Sequence, residues 1–200
     1  MAIRTANNQS LTEITAFPSA VALGGMVLLA TETASSSSTI TFDSDIDSTY
    51  KEYIFKFIDI HPSAADNHFQ VNFRDGSTAY DATKTTTFFR SVHREDDGLG
   101  SIGYITGSDL AQSTAAQPLN VTLDAENDSC LVGQLHLYNP SSTTFVKHFI
   151  ARTQEVLYAA SSQEVYVAGY CNVTAAIDGV QFAMNSGNID AGTIKLYGVT

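Results

Sequence analysis

The tightest constraint on this chain comes from a short run, His68-Phe69-Gln70-Val71-Asn72-Phe73-Arg74, which alternates apolar and polar side chains without a break. A strand sends successive side chains to opposite faces, so Phe69, Val71 and Phe73 share one face and Gln70, Asn72 and Arg74 the other. Asp75-Gly76 follows at once, a pair suited to the positive backbone angles of a tight hairpin or short bulged loop. Upstream, Tyr53 to Ile60 is apolar on both faces apart from Lys56 and Asp59. That pattern belongs to a strand in the middle of a sheet and not at its edge. The two strands predict a β-sandwich built around them.

The rest of the chain keeps the same rhythm. Gly25–Glu32, Thr39–Phe42, Thr85–His93, Leu119–Leu123, Cys130–Tyr138, Thr144–Arg152, Glu164–Asn172, Gly179–Met184 and Thr193–Tyr197 read as strands. Asn139-Pro140-Ser141-Ser142, Asn185-Ser186-Gly187-Asn188 and Ala191-Gly192 read as turns between them. Arg94 to Gln117 reads as a long loop with a short helix over Ser108–Gln112; loops of that length are usually functional or make contacts. The fold class expected is all-β: an antiparallel, jelly-roll-like sandwich of about ten strands in one domain, residues 25–200. Residues 1–24 are mostly polar with scattered Ile3, Leu11, Ile14 and Phe17, and read as an extended N-terminal arm. Ser10-x-x-Glu13 is a weak capping box within it.

Charge narrows the partners. The formal net charge is −11, from 21 acidic and 10 basic side chains. That disfavours nucleic acid and anionic membranes, since phosphate binding needs clustered Lys and Arg. No membrane insertion is expected either: the most apolar stretch, Ile14 to Ala30, is broken by Pro18, Gly24 and Gly25. A cleaved leader is not expected, because Glu13 and Asn7-Asn8-Gln9-Ser10 interrupt the region where one would lie. Only 16% of residues are charged, which suits packed assemblies with few long flexible side chains.

No motif assembles a reaction centre. Gly98-Leu99-Gly100-Ser101-Ile102-Gly103 has the letters of a dinucleotide loop, but the acidic Glu95-Asp96-Asp97 before it repels phosphate. Asp43, Asp45 and Asp47 alternate like the opening of a calcium loop and are the weak metal candidates. Ser48 and Ile54 stand where an EF-hand needs Gly and Glu, so only a looser site remains open. Of the five histidines, His136 and His148 face each other if Asn139-Pro140 turns a hairpin; the plainer reading is surface polar residues. Cys130 and Cys171 read as buried thiols, and two cysteines cannot complete a zinc site without spaced histidines. There is no G-x-S-x-G, and the glutamates are scattered. Asn120-Val121-Thr122 and Asn172-Val173-Thr174 match the glycosylation acceptor, which has meaning only in a eukaryotic secretory route. The chain is expected to be no enzyme and to need no cofactor.

Three segments carry a family likeness: Phe69 to Gly76, Asn139 to Phe149, and Gly187 to Gly198 with its ending Thr-Ile-Lys-Leu-Tyr-Gly. From about Gly25 onward the chain resembles small β-sandwich virion structural proteins of tailed phages, of the aquatic and cyanobacterial type. The resemblance implies a virion component assembled in the host cytoplasm: a capsid decoration or cement protein, or a tail or fibre component. Its partners would be other virion proteins, and copies of itself in a homo-oligomer, with a trimer as the first expectation. The arm and the loop 94–118 would provide anchorage. The alternative is a carbohydrate-binding sandwich that reads a host surface glycan, with Tyr138, Tyr158, Tyr166, Tyr170 and Tyr197 as stacking surfaces.

Overall fold

The computed structural model describes residues 25–157 and 160–200. The expected N-terminal arm lies outside the described residues. Among the described residues twelve strands run in order: β1 Met26–Thr33, β2 Ile40–Phe42, β3 Glu52–Pro62, β4 Phe69–Arg74, β5 Lys84–Arg94, β6 Gly100–Tyr104, β7 Gln117–Pro118, β8 Leu131–Tyr138, β9 Lys147–Leu157, β10 Ser161–Cys171, β11 Gly179–Met184 and β12 Ile189–Val199. They form two antiparallel sheets. The larger has eight strands in the order β1-β12-β3-β8-β9-β10-β5-β6, and the smaller has four in the order β2-β11-β4-β7. The fold is an all-β sandwich, as the alternating runs require.

The two organising strands do what their patterns dictate. β3 is third of eight in the large sheet, with Tyr53, Phe55, Phe57 and Ile60 buried inward and Ile54 buried on the other face. β4 lies in the small sheet with Phe69, Val71 and Phe73 fully buried. They meet face to face, Phe57 edge-on to Phe69 at 5.2 Å. Phe182 on β11 is the hub. It makes edge contacts with Phe55 at 5.3 Å and Phe57 at 5.2 Å and stacks on Phe69 at 5.6 Å. Truncating such a ring costs about 3–5 kcal/mol, from lost transfer energy and the cavity left behind.

Several local expectations are corrected. Asp75-Gly76 turns no hairpin: β4 pairs with β11 and β7, and the chain crosses there to the large sheet. Gly76 keeps a positive φ of 89° in that crossing. Ala191-Gly192 is no turn but a bulge within β12, opposite Asp59 of β3. Gly192 sits at φ 119°, and a Cβ there would lie 2.7 Å from the Asp59 carbonyl. The long loop contains strand β6, hairpin-paired with β5 from His93↔Gly100 to Phe89↔Tyr104. Ser108–Gln112 forms turns and bends, not a helix. Leu119–Leu123 is not a strand; both leucines are buried, held by a two-residue pairing at Gln117–Pro118 and a bridge from Leu123 to Asn67.

Candidate functional site

The sequence candidates disperse. Asp43 is exposed and faces Arg74 Nη1 at 3.7 Å. Asp45 accepts from the Ser44 hydroxyl at 3.1 Å. Asp47 accepts from Thr49 N at 2.8 Å and from the Tyr53 hydroxyl at 3.0 Å, and the Thr49 N–H holds its carboxyl below the usual range. Three carboxylates with three separate tasks do not converge on an ion. Among the described residues no group of three or more His, Cys, Asp or Glu is placed to hold a metal.

The histidines are equally separate. His136 opposes Ile150, not His148, and pairs with Glu52 Oε1 at 2.6 Å. His148 lies against Tyr170, ring centroids 6.0 Å apart. The glycine-rich Gly98 to Gly103 turns and builds the β5–β6 hairpin, with no helix after it. Both cysteines are free thiols. Cys171 is buried as expected, whereas Cys130 is only half-buried because it precedes β8 at the rim.

What the fold does gather is a surface. Among the described residues nothing covers the outer face of the eight-stranded sheet, and register defines its rows. One row runs Tyr104, Phe89, Tyr166, Arg152, Gln134, Lys56 across β6, β5, β10, β9, β8 and β3. Phe89 and Tyr166 stack at 4.8 Å, nearly parallel at 9°. The Arg152 guanidinium lies 5.4 Å from the Tyr166 ring centre and ion-pairs with Glu164, which also accepts from the Tyr166 hydroxyl at 2.7 Å. The Tyr104 hydroxyl donates to Asp109 Oδ2 at 2.6 Å. The edge strand β6 is exposed along its whole length, with Ile102 74% and Tyr104 50% exposed. Depressions between Gln134, Arg152 and Glu164, and between Ile150, Ala168 and Tyr170, are open hollows on this same face and not clefts.

Sequence reasoning missed the two buried lysines and the buried glutamate. On the inner face Lys84, Cys171 and Lys147 sit abreast on β5, β10 and β9, all fully buried. Lys147 Nζ donates to three backbone carbonyls, Val173 at 2.9 Å, Ser142 at 3.0 Å and Phe145 at 3.3 Å. At the far end of the same strands Glu155 is 1% exposed. It accepts from Asn120 Nδ2 at 2.8 Å, from Val121 N at 3.3 Å and from Gln163 Nε2. Burial pushes its carboxyl up to about 7 against those hydrogen bonds. The signal was present as parity. Lys147-Phe149-Ala151 and Lys84-Thr86-Phe88 put each lysine on the core side of its strand.

The chain matches no protein-family model, no curated protein and no solved structure.

Proposed function

We propose that the protein is a non-enzymatic structural subunit of a virion that works through contacts between subunits. The observation that supports this reading is the outer face of the large sheet, left open by the described residues, with its exposed edge β6. Phe89, Tyr104, Ile102 and Ile150 give it apolar area, while Arg152 and Glu164 pair with each other on it. Aromatic and Arg side chains in that arrangement are favoured at protein contacts. A homo-oligomer, with a trimer as the first choice, is the simplest use of such a face. The resemblance to phage virion proteins supplies the setting: capsid decoration, or a tail or fibre position.

The test is the mass of the purified protein in solution, for the unchanged chain and for Ile102→Lys. The unchanged chain forms a defined oligomer. Ile102→Lys keeps its melting temperature, because Ile102 buries little within the subunit, and loses the oligomer. A monomer at every concentration, or an Ile102→Lys oligomer of undiminished stability, overturns the reading. The coplanar Phe89–Tyr166 pair flanked by Arg152 and Glu164 favours a second reading, a flat platform for a host sugar ring. Glycan binding that disappears in Tyr166→Ala would select it.

A further inference from the structure

Lys84 and Lys147 occupy equivalent places on either side of Cys171, yet they are held differently. Lys147 has three carbonyl acceptors, one for each hydrogen of an ammonium ion. Lys84 has two: the Ala82 carbonyl at 2.7 Å and the side-chain oxygen of Asn72 at 2.5 Å. Two acceptors match a neutral amine, which has two hydrogens and a lone pair. Burial brings the Lys84 amine down to about 8, with the Cys171 thiol opposite and Asp81 nearby opposing that fall only in part. An uncharged lysine amine is a nucleophile, and the group it touches is a carboxamide.

The carboxamide is held like an electrophile. Asn72 Oδ1 accepts from the Phe73 backbone N–H at 3.0 Å, a donor placed for the oxygen that gains charge when the carbon is attacked. Its Nδ2 donates to the Thr114 carbonyl at 3.2 Å, which fixes the nitrogen on the side away from the lysine. Asn72 is half-buried on β4, so its nitrogen has a way out to solvent, while Lys84 is fully enclosed. The two residues lie on different sheets, β4 of the small sheet and β5 of the large one.

We propose that Lys84 and Asn72 join in an intramolecular isopeptide bond that ties the two sheets together. The Lys84 Nζ lone pair forms a bond to Asn72 Cγ, and the carbonyl π pair moves onto Oδ1 beside the Phe73 N–H. In the tetrahedral intermediate both nitrogens are bonded to Cγ, and the proton released by Nζ passes to Nδ2 beside it. The Cγ–Nδ2 bond then breaks, Oδ1 regains its double bond, and ammonia leaves. One amide replaces another, so no oxidant or reductant is needed. Holding the two groups in contact supplies the rate, as effective concentration does in any intramolecular reaction.

Intact-mass spectrometry of the full chain under denaturing conditions reads the result directly. After incubation of the folded protein at about pH 9, where the amine is uncharged, the mass falls by about 17 Da, one ammonia. Trypsin no longer cuts after Lys84, and the fragment carrying Asn72 is found branched onto the one carrying Lys84. Asn72→Ala and Lys84→Arg each keep their full mass, and so does the unchanged chain kept in denaturant. A folded chain that holds its full sequence mass overturns the proposal. So does a loss of the same size that persists in Lys84→Arg, because that marks a cyclic imide at Asn72 and not a crosslink.

Discussion

The inner faces of β5, β10 and β9 carry buried polar and ionisable groups at both ends, and the two ends are built on different principles. At one end stand Lys84, Cys171 and Lys147; at the other stand Val92, Gln163 and Glu155. Lys147 and Glu155 are eight residues apart on one strand, roughly 27 Å, so neither charge neutralises the other. The basic end is served by backbone carbonyls and by Asn72. The acidic end is served by side-chain amides and by the N–H of Val121, in the segment that crosses the interior after β7. The comparison shows what each end fastens. Lys147 gathers the 142–145 turn and Val173, and Glu155 gathers the 120–121 segment and, through Asn120, the Phe69 amide at 2.6 Å and the Asn67 carbonyl at 3.1 Å. A buried charge at each end organises chain that has no ladder of its own.

The largest effect falls on the acidic end. Glu155→Ala leaves two side-chain amides and a backbone N–H buried without their acceptor, and costs about 3–4 kcal/mol in urea unfolding. Glu155→Gln keeps part of the set and costs about 1–2 kcal/mol. The two variants also separate a pH effect. Burial raises the Glu155 carboxyl from 4.5 to about 7. Between those values the folded chain holds a proton that the unfolded chain has released, so stability falls as pH rises from 4.5 to 7 and then levels. Glu155→Gln flattens that limb. A limb of unchanged slope in Glu155→Gln would assign the titration elsewhere.

The basic end breaks unevenly. Lys147→Met strands three carbonyls and costs about 3 kcal/mol, whereas Lys84→Met, compared with the chain not yet joined to Asn72, costs within about 1 kcal/mol, since burial already taxes that amine. The pH response has the opposite sign from Glu155. The Lys84 amine lies near 8 when folded against 10.5 unfolded. The unfolded chain therefore binds more protons between those values, and stability rises as pH goes from 8 to 10.5. A chain already joined to Asn72 has no amine to titrate and lacks that limb. Equal losses for the two lysine variants would erase the distinction drawn between them.

The smallest effect separates the thiols. Burial pushes Cys171 up to about 12 and also raises Cys130, beside Asp59. Native alkylation near neutral pH adds one label per chain, slowly, at the half-buried Cys130, and the second only on unfolding. Two labels on the folded chain would show that the basic end opens to solvent.

Long alternating runs were legible in the sequence because they satisfy one condition at every position. β4, β8 and β9 each place every second residue inward, and the Tyr53 to Ile60 part of β3 announces burial by having only Lys56 and Asp59 to expose. Short pairings were not legible. β7 has two residues and one of them is proline, and β6 is Gly-Ser-Ile-Gly-Tyr, which composition alone files with loops. Leu119 and Leu123 are core residues at a spacing that suggests a strand, but backbone partners at Phe69 and Asn67 hold them without one. The acidic triad misled by its letters. Alternation places Asp43, Asp45 and Asp47 near one another along the chain, while Arg74, Ser44 and Tyr53 draw them apart in space. The surface rows were out of reach, because register across eight strands is set by pairings hundreds of atoms apart and not by any local pattern.

Among the described residues the large sheet stops at two unlike rims. β1 brings Met26, Val27 and Leu28 to one, and β6 brings Gly100 to Tyr104 to the other. Each rim has main-chain donors and acceptors facing outward, and the two strands share no sequence. Copies that met β1 rim to β6 rim would join head to tail, not by a twofold, and every added copy would present the same pair of rims as the first. The angle at the seam then decides between a closed ring of few members and an open thread.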